Sequence, residues 1–268
     1  MPRCARAECG RWRPDLLVRN VRVGLHLDNR WYCSPGCVET ATRRRLSAPR
    51  PLSLRPPAIP PLRLGTLLIH LGAATPALLR QAADAQRRSG LRIGAQLRAM
   101  GVVSATDVLR GLSAQAGVGY LTHLDPSCVR EAPGRLSADA VRALGVVPVE
   151  ADAHVQRLRV ACVAPVPRVA IAALYELTRW AIEPFLVSDE HLEPLMTAYA
   201  EAAGNRTPAI AAHTVRRVDE AAKWVARAAA AGPGVRMTEA RFDPYQWVRL
   251  ESEARVEDVL ISGEAAGG

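Results

Sequence analysis

Lysine and aromatic residues are scarce in this 268-residue chain, and the scarcity limits what the chain can be. Lys223 is the only lysine, so nearly all of the formal charge of +9 comes from arginine. Lys223 lies in AAKWVARA, which lacks the glycines of a phosphate-binding GxxxxGK[ST] loop. No GxSxG or HExxH sequence occurs, and the histidines are scattered without metal-ligand spacing. The sequence therefore predicts that the chain is not an enzyme and, specifically, not an ATPase.

Long apolar runs are also missing. No segment approaches the length of a transmembrane helix and no signal peptide opens the chain, which predicts a cytoplasmic protein without membrane insertion. The six cysteines are then not expected to form disulfides. The positive charge favours an anionic partner, such as nucleic acid, a nucleotide or an acidic surface. Frequent arginine and alanine can equally reflect a GC-rich genome.

Four of the cysteines form two closely spaced pairs near the N-terminus. Two short strands are predicted between the pairs, turning near Asp28-Asn29, and Ser34-Pro35 is expected to start a helix that ends near Leu46. Four thiolates suit a tetrahedral structural Zn²⁺, and a knuckle, hairpin and helix in this order resemble a treble-clef finger. Free or redox thiols are the alternative. Residues 1–46 are predicted to be a zinc-finger-like unit with the ligands Cys4, Cys9, Cys33 and Cys37.

The finger is followed by a proline-rich segment. Residues 47–62 contain six prolines in sixteen positions, a composition typical of an extended, semi-rigid linker between domains.

A 24-residue pattern then occurs twice. The first copy is RLGTLLIHLGAATPALLRQAADAQ, from Arg63 to Gln86, and the second is RIGAQLRAMGVVSATDVLRGLSAQ, from Arg92 to Gln115. Equivalent residues are 29 positions apart, and an internal repeat of this kind indicates a duplicated supersecondary unit.

Each copy is predicted to be a helical hairpin. In the first copy, Gly72 closes a short helix and Thr75 caps a longer one. In the second copy, Gly101 closes the short helix, and Ser104 caps the longer one with Asp107 at capping-box spacing.

Packing explains the glycines and leucines of the repeat, but it does not explain the Arg that opens each copy or the Gln that closes it. Arginine offers a planar fork to phosphate or to a guanine edge, and glutamine offers both donors and an acceptor. Two such sets side by side would suit a ligand that is itself a two-fold dimer, with two bases and two phosphates.

The RLGxxLLxxG…L……Q pattern, repeated after a five-residue spacer, resembles the MshEN domain, the N-terminal part of type II secretion and type IV pilus assembly ATPases. Residues 121–201 are similar to the second subdomain of that family in the order of their predicted strands and helices. The resemblance implies a tandem helical subdomain at 63–120, an α/β subdomain at 121–201, and binding of cyclic di-GMP. Carried over position by position, it implies the ligand-binding residues Arg63, Leu64, Gly65, Leu68, Gly72, Leu79, Gln86, Arg92, Ile93, Gly94, Leu97, Gly101, Val108 and Gln115.

Three positions depart from the family pattern. Arg98 and Gly111 replace helix-forming or apolar residues in the second copy, which predicts weaker binding by that half. Ala164-Pro165 stands where the family has Asp-Pro, which predicts the loss of a polar contact in that loop.

The last segment resembles no family. Residues 203–213 have the composition of a linker, and Thr214 is predicted to cap a helix over 215–230. Three strand-like runs follow, so residues 214–262 are predicted to form a small α+β unit, with GEAAGG as a frayed tail.

The whole chain is thus predicted to be an α+β multidomain protein. The preferred function is a stand-alone, cyclic di-GMP-binding regulatory protein, in which a bound zinc ion is structural. One alternative is a nucleotide-independent docking adaptor of a type II secretion or type IV pilus system, with proteins of that machinery as partners. The other is a zinc-finger protein that binds nucleic acid, motivated by the charge and by Arg43, Arg44 and Arg45.

Overall fold

The computed structural model describes residues 3–12, 24–48, 62–130, 136–204, 210–253 and 255–262. Most of the predicted proline-rich linker and the GEAAGG tail lie outside these ranges, as does the start of the segment between the cysteine pairs. The described part is a mixed α+β structure with three sheets.

The N-terminal unit is a hairpin followed by a helix. Strands β1 (Leu25–Leu27) and β2 (Arg30–Tyr32) pair antiparallel, and helix α1 (Pro35–Ser47) follows. Asp28 and Asn29 form the turn with positive φ angles, as the sequence predicted. The Ala5 amide donates to the Trp31 carbonyl at 2.8 Å, so the segment of the first cysteine pair lies beside β2, which leads directly into the second pair.

The repeat forms four helices: α2 (Leu64–His70), α3 (Pro76–Ser89), α4 (Ile93–Ala99) and α5 (Ala105–Ala116). Thr75 accepts a hydrogen bond from the Leu78 amide, and Ser104 and Asp107 form a reciprocal capping box. The predicted pair of helical hairpins and its capping residues are confirmed.

The α/β subdomain contains β3 (Gly119–Tyr120), α6 (Ala138–Leu144), β4 (Val146–Asp152), β5 (Arg157–Cys162), α7 (Arg168–Thr178), β6 (Ala181–Leu186) and α8 (Asp189–Gly204). Its four strands form a sheet in the order β3-β6-β5-β4. The strands β5 and β6 pair parallel, and β4 pairs with β5 antiparallel. The predicted order of elements is confirmed, with an additional 3-10 helix at Pro126–Arg130.

The C-terminal segment differs from its prediction at its start. Residues Ala211–Val215, expected to be a linker and a helix start, form strand β7, and helix α9 spans Val218–Ala231. Strand β7 pairs parallel with β10 (Val256–Ser262), and this partner lies too far along the chain for a local pattern to reveal it. Thr214 is thus a strand residue and not a helix cap. Strands β8 (Arg236–Phe242) and β9 (Tyr245–Glu251) complete a sheet in the order β7-β10-β9-β8.

This C-terminal sheet contributes to two hydrophobic cores. One face, with Val248 and Val259, packs with α9 and with the N-terminal unit, including Leu46. The opposite face, with Trp247 and Leu260, joins the core of the α/β subdomain. The two ends of the chain therefore form one packed body that rests on the α/β subdomain.

Within the ranges that the structure describes, no helix combines the length and the apolar character needed to cross a membrane.

Candidate functional site

The four repeat helices exchange partners between the two copies. The short helix of the first copy, α2, packs on the long helix of the second, α5, while α4 packs reciprocally on α3. The short helices α2 and α4 also touch each other. The helix contacts of the two copies are therefore reciprocal, as an approximate two-fold relation between the copies would give.

Three glycines lie where a side chain would collide with a neighbouring helix, at contacts both within and between the copies. A Cβ built on Gly65 would lie 2.6 Å from Cδ1 of Leu79, and one on Gly94 would lie 3.0 Å from Cγ1 of Val108, the equivalent residue of the second copy. A Cβ on Gly111 would lie 2.7 Å from Cδ1 of Leu64. Gly111, which departs from the family pattern, thus lets α5 approach the first copy, so it has a packing role.

The predicted ligand-binding residues differ widely in accessibility. Leu68 and Leu97 are fully buried and belong to the core between the helices, so their role is to pack the helices that carry the site. Gly72 and Gly101 adopt the left-handed conformation after their short helices and form turns. Arg63 is exposed, as is Arg92. The remaining non-glycine residues are half-buried: Leu64, Leu79, Gln86, Ile93, Val108 and Gln115.

The two exposed arginines start adjacent helices. Arg63 and Arg92 are the N-cap residues of α2 and α4, each in an extended conformation. The beginnings of these helices meet, because a Cβ on Gly94 would lie 3.1 Å from Cδ2 of Leu64. Within the described residues, no carboxylate forms an ion pair with either arginine. Both side chains are exposed, so an anion in solution can reach them.

The surrounding surface has a strong positive charge. Residues 62–117 contain seven arginines and two aspartates, a net charge of +5. One of the aspartates, Asp107, is engaged with Ser104, and hydrogen bonds from Ser104 lower the pKa of that carboxyl group. The other, Asp84, lies 3.7 Å from Arg87. Most of the positive charge on the repeat is therefore not offset within the repeat itself.

Two exposed leucines directly precede the two copies of the repeat and lie outside the predicted set of site residues. Leu62 and Leu91 precede the two arginines, are also 29 positions apart, and are 59% and 43% exposed. The backbone carbonyl of Leu62 accepts a hydrogen bond from Nε2 of Gln115 at 2.6 Å. The closing glutamine of the second copy is thus held beside the start of the first. The shared 29-residue spacing was the signal that could have identified this leucine pair.

The four N-terminal cysteines converge on a second site. The Sγ atoms of Cys4, Cys9, Cys33 and Cys37 all lie within 4.8 Å of one another. The Cys9–Cys33 and Cys33–Cys37 separations are 3.5 Å, and Cys9–Cys37 is 3.7 Å. A tetrahedral Zn²⁺ with Zn–S bonds of about 2.3 Å would separate its sulfurs by about 3.8 Å. The sulfurs therefore have the spacing of a four-coordinate metal site, and His26 is not part of the cluster.

The thiols in this cluster strongly influence each other. Burial and hydrogen bonds with Cys9 and Cys37 raise the pKa of Cys33 to about 12. Burial also acts to raise the pKa of Cys37, but hydrogen bonds from Ser34, Cys33, Cys9 and Arg6 outweigh it and lower the value to about 7. Thiols so close together cannot all ionise unless a cation balances their charge, which is what a divalent metal supplies.

The arginine run of the finger is occupied by structural contacts. Arg45 donates to Asp28 at 2.7 Å, to Glu239 at 3.2 Å and to the Met237 carbonyl at 3.1 Å. It thereby ties α1 to its own hairpin and to β8.

The two neighbouring arginines are also paired with carboxylates. Arg44 donates to Glu8 at 2.7 Å, and Arg43 pairs with Asp219 at the start of α9. The run that motivated nucleic-acid binding therefore joins the two ends of the chain.

Fifteen solved chains are similar to this one, among them the following three. One, described as "Structure of MshE with cdg", is 27% identical, covers 52% of this chain and 99% of its own, and has a TM-score of 0.41. The N-terminal domain of XpsE, in two crystal forms, is 17% and 20% identical and covers 51% and 50% of this chain, with TM-scores of 0.34 and 0.28. These matches include 93% and 92% of the XpsE chains.

No protein-family model matches the chain, and no curated protein matches it.

Proposed function

We propose that this chain is a regulatory protein that binds cyclic di-GMP on its duplicated helical subdomain. The identity of the ligand rests on the MshEN-type motifs of the two copies. The observation that carries the proposal is the meeting of α2 and α4, which brings two exposed arginines to the same end of a two-fold arrangement. Neither arginine forms an ion pair with a carboxylate of the described residues.

The chemistry of the surface fits a dianion with two bases. Arg63 and Arg92 would each contact a phosphate or a guanine edge, where a planar guanidinium forms paired hydrogen bonds. The half-buried residues Leu64 and Ile93 would contact the bases, and the net charge of +5 would attract the ligand. The buried leucines and the turn glycines would act by holding this surface in place.

Isothermal titration with cyclic di-GMP tests the proposal. Arg63→Ala and Arg92→Ala should each weaken binding about 10- to 100-fold, as expected for loss of a charge-assisted contact. Arg80→Ala is the matched control, because Arg80 is an exposed arginine on α3 outside the predicted set. If Arg80→Ala weakens binding as much as Arg63→Ala, the surface attracts anions only through its overall charge, and the proposed site is wrong.

We also propose that the cysteine cluster binds zinc as a structural ion. Four cysteine ligands leave no coordination position open for substrate, so the metal would hold the finger together. Metal analysis of protein purified without added metal should give one zinc per chain, and Cys37→Ser should lower that ratio. Cys128→Ser is the control, because Cys128 lies outside the cluster.

A further inference from the structure

We propose that a cavity in the N-terminal unit is a second binding site, which takes a small organic anion with a phosphate or carboxylate group on an apolar body. The cavity has a volume of about 620 Å³ and lies between the segment of the first cysteine pair, the β1–β2 hairpin, α1 and the start of β8. This volume is within the range of about 300–1,000 Å³ that is usual for small-molecule sites. The inference is independent of the proposed binding of cyclic di-GMP, because none of the described residues of the repeat lines this cavity.

Hydrogen bonds hold the walls of the cavity in place. Arg44 on α1 donates to Glu8, in the segment of the first cysteine pair, at 2.7 Å. Arg45, also on α1, donates to Asp28 of the hairpin turn at 2.7 Å and to the Met237 carbonyl of β8 at 3.1 Å. The Met237 amide donates in turn to Oδ1 of Asp28 at 2.6 Å. Each wall is thus tied to at least one other, so a ligand would enter a preformed cavity and would not have to order the chain around it.

The lining of the cavity carries a surplus of positive charge. Its charged residues are four arginines and two carboxylates, a net charge of +2: Arg6, Arg30, Arg44, Arg45, Glu8 and Asp28. Each carboxylate already contacts one of these arginines at 2.7 Å. Arg30 is exposed, and it forms no ion pair with any residue that the structure describes. A ligand in the cavity would therefore meet arginine charge that the carboxylates of the lining do not offset, which favours an anion.

Apolar and aromatic side chains make up another part of the lining. Leu27, Tyr32 and Met237 line the cavity and are buried in the core of the N-terminal unit. Ala5 and Ala41 line it as well and are half-buried. A bare phosphate ion would fill only a small part of about 620 Å³ and would leave these apolar surfaces in contact with water. The expected ligand therefore carries an apolar or aromatic body beside its charged group.

An NMR titration of the full chain with two matched probes tests the proposal. Inorganic phosphate carries the charge alone, and phenyl phosphate carries the same group on an aromatic ring. Phenyl phosphate should shift the methyl signals of Met237 and Ala41 until they saturate, and it should bind there at least about tenfold more tightly than inorganic phosphate, because the ring is removed from water. The absence of a saturable shift at these methyl groups, or equal affinities for the two probes, would overturn the proposal.

Three variants locate the site within the chain. Arg30→Ala should weaken the binding of phenyl phosphate about fivefold or more, through loss of a charge-assisted contact. Arg142→Ala, at an exposed arginine of α6 outside the cavity, should leave the binding unchanged. Ala41→Met keeps every charge but lengthens a side chain that lines the cavity, so it should remove the preference for phenyl phosphate over inorganic phosphate.

Two results with these variants would contradict the assignment. Equal effects of Arg30→Ala and Arg142→Ala would show that the overall charge of the protein attracts the probe. An undiminished preference for phenyl phosphate in folded Ala41→Met would place the ring outside the cavity. If Ala41→Met does not fold, the comparison of Arg30→Ala with Arg142→Ala still decides, because both arginines are exposed.

Discussion

A buried ion pair in the C-terminal sheet provides a stringent test of how the chain is held together. Arg249 and Asp258 lie opposite each other on β9 and β10, and the bonds from Nε and Nη2 to the two carboxylate oxygens are 2.9 and 3.0 Å. The side chains are 3% and 0% exposed. By strand alternation they share the face of Trp247 and Leu260, which packs on the α/β subdomain.

Asp258→Asn removes the charge and nearly preserves the shape. It leaves the Arg249 guanidinium buried without a counter-charge, and breaking a buried pair in this way costs about 3–5 kcal/mol. For a protein of this size each kcal/mol lowers the melting temperature by about 2–4 °C, so we expect a decrease of about 6–20 °C. Differential scanning calorimetry at neutral pH measures it directly.

The control is an exposed pair of the same kind. Arg157 lies 3.8 Å from Glu183, and the two side chains are 44% and 52% exposed, so Arg157→Gln should cost less than about 1 kcal/mol. The double variant Arg249→Met with Asp258→Leu should regain most of the stability lost in Asp258→Asn, because no unpaired charge remains buried. The melting temperatures of Asp258→Asn and Arg157→Gln should therefore differ clearly. A difference of less than about 2 °C, which corresponds to no more than about 1 kcal/mol, would show that the two-sided burial of this sheet is wrong.

Two further predictions concern the metal centre and a helix cap. Chelation of the metal, or Cys37→Ser, should increase the rate of amide hydrogen exchange in α9 as well as in α1, because both helices belong to one hydrophobic core. An unchanged exchange rate in α9 would show that the finger folds separately. Ser104→Ala should destabilise the protein by about 1 kcal/mol at neutral pH through loss of the capping box. The hydrogen bonds from Ser104 lower the pKa of Asp107 in the folded state. The stabilisation that depends on the Asp107 carboxylate is therefore present above the unfolded-state pKa of Asp107, and it is lost as the pH falls through the lowered folded-state pKa. Urea titrations of both forms between pH 7 and pH 3 should therefore show a difference that shrinks at acidic pH but does not vanish, because the bond from the Asp107 amide to the Ser104 hydroxyl does not titrate. A difference that stays constant with pH would contradict the assignment.

The helical subdomain was predictable because its signals are local. Thr75, Ser104 and the glycines that follow the short helices each determine a helix end within a few residues, and the duplication doubled the evidence. The cysteine cluster was predictable from residue type and spacing, because two close pairs of thiols are the usual ligands of a structural zinc ion.

The association of the chain ends was not predictable from local pattern. Strand β7 depends on a parallel partner more than forty residues later, and its sequence AAHTV carries no alternation that would distinguish it from a linker. Arg45 contacts Glu239 across 194 residues of sequence, so its role as a clamp had no local signature. The same holds for Gly111, whose close approach to Leu64 depends on how the two copies pack.

The most direct measurement of the central claim is a calorimetric titration of the unmodified chain with cyclic di-GMP. If the two copies form one two-fold site, one ligand molecule should bind per chain, and binding should saturate. The affinity should decrease as the salt concentration rises, because the arginine surface attracts a dianion. The linear dinucleotide, which cannot present two equivalent halves to the two arginines, should bind more weakly. An absence of heat from correctly folded protein at tens of micromolar, or two independent ligands per chain, would contradict the account.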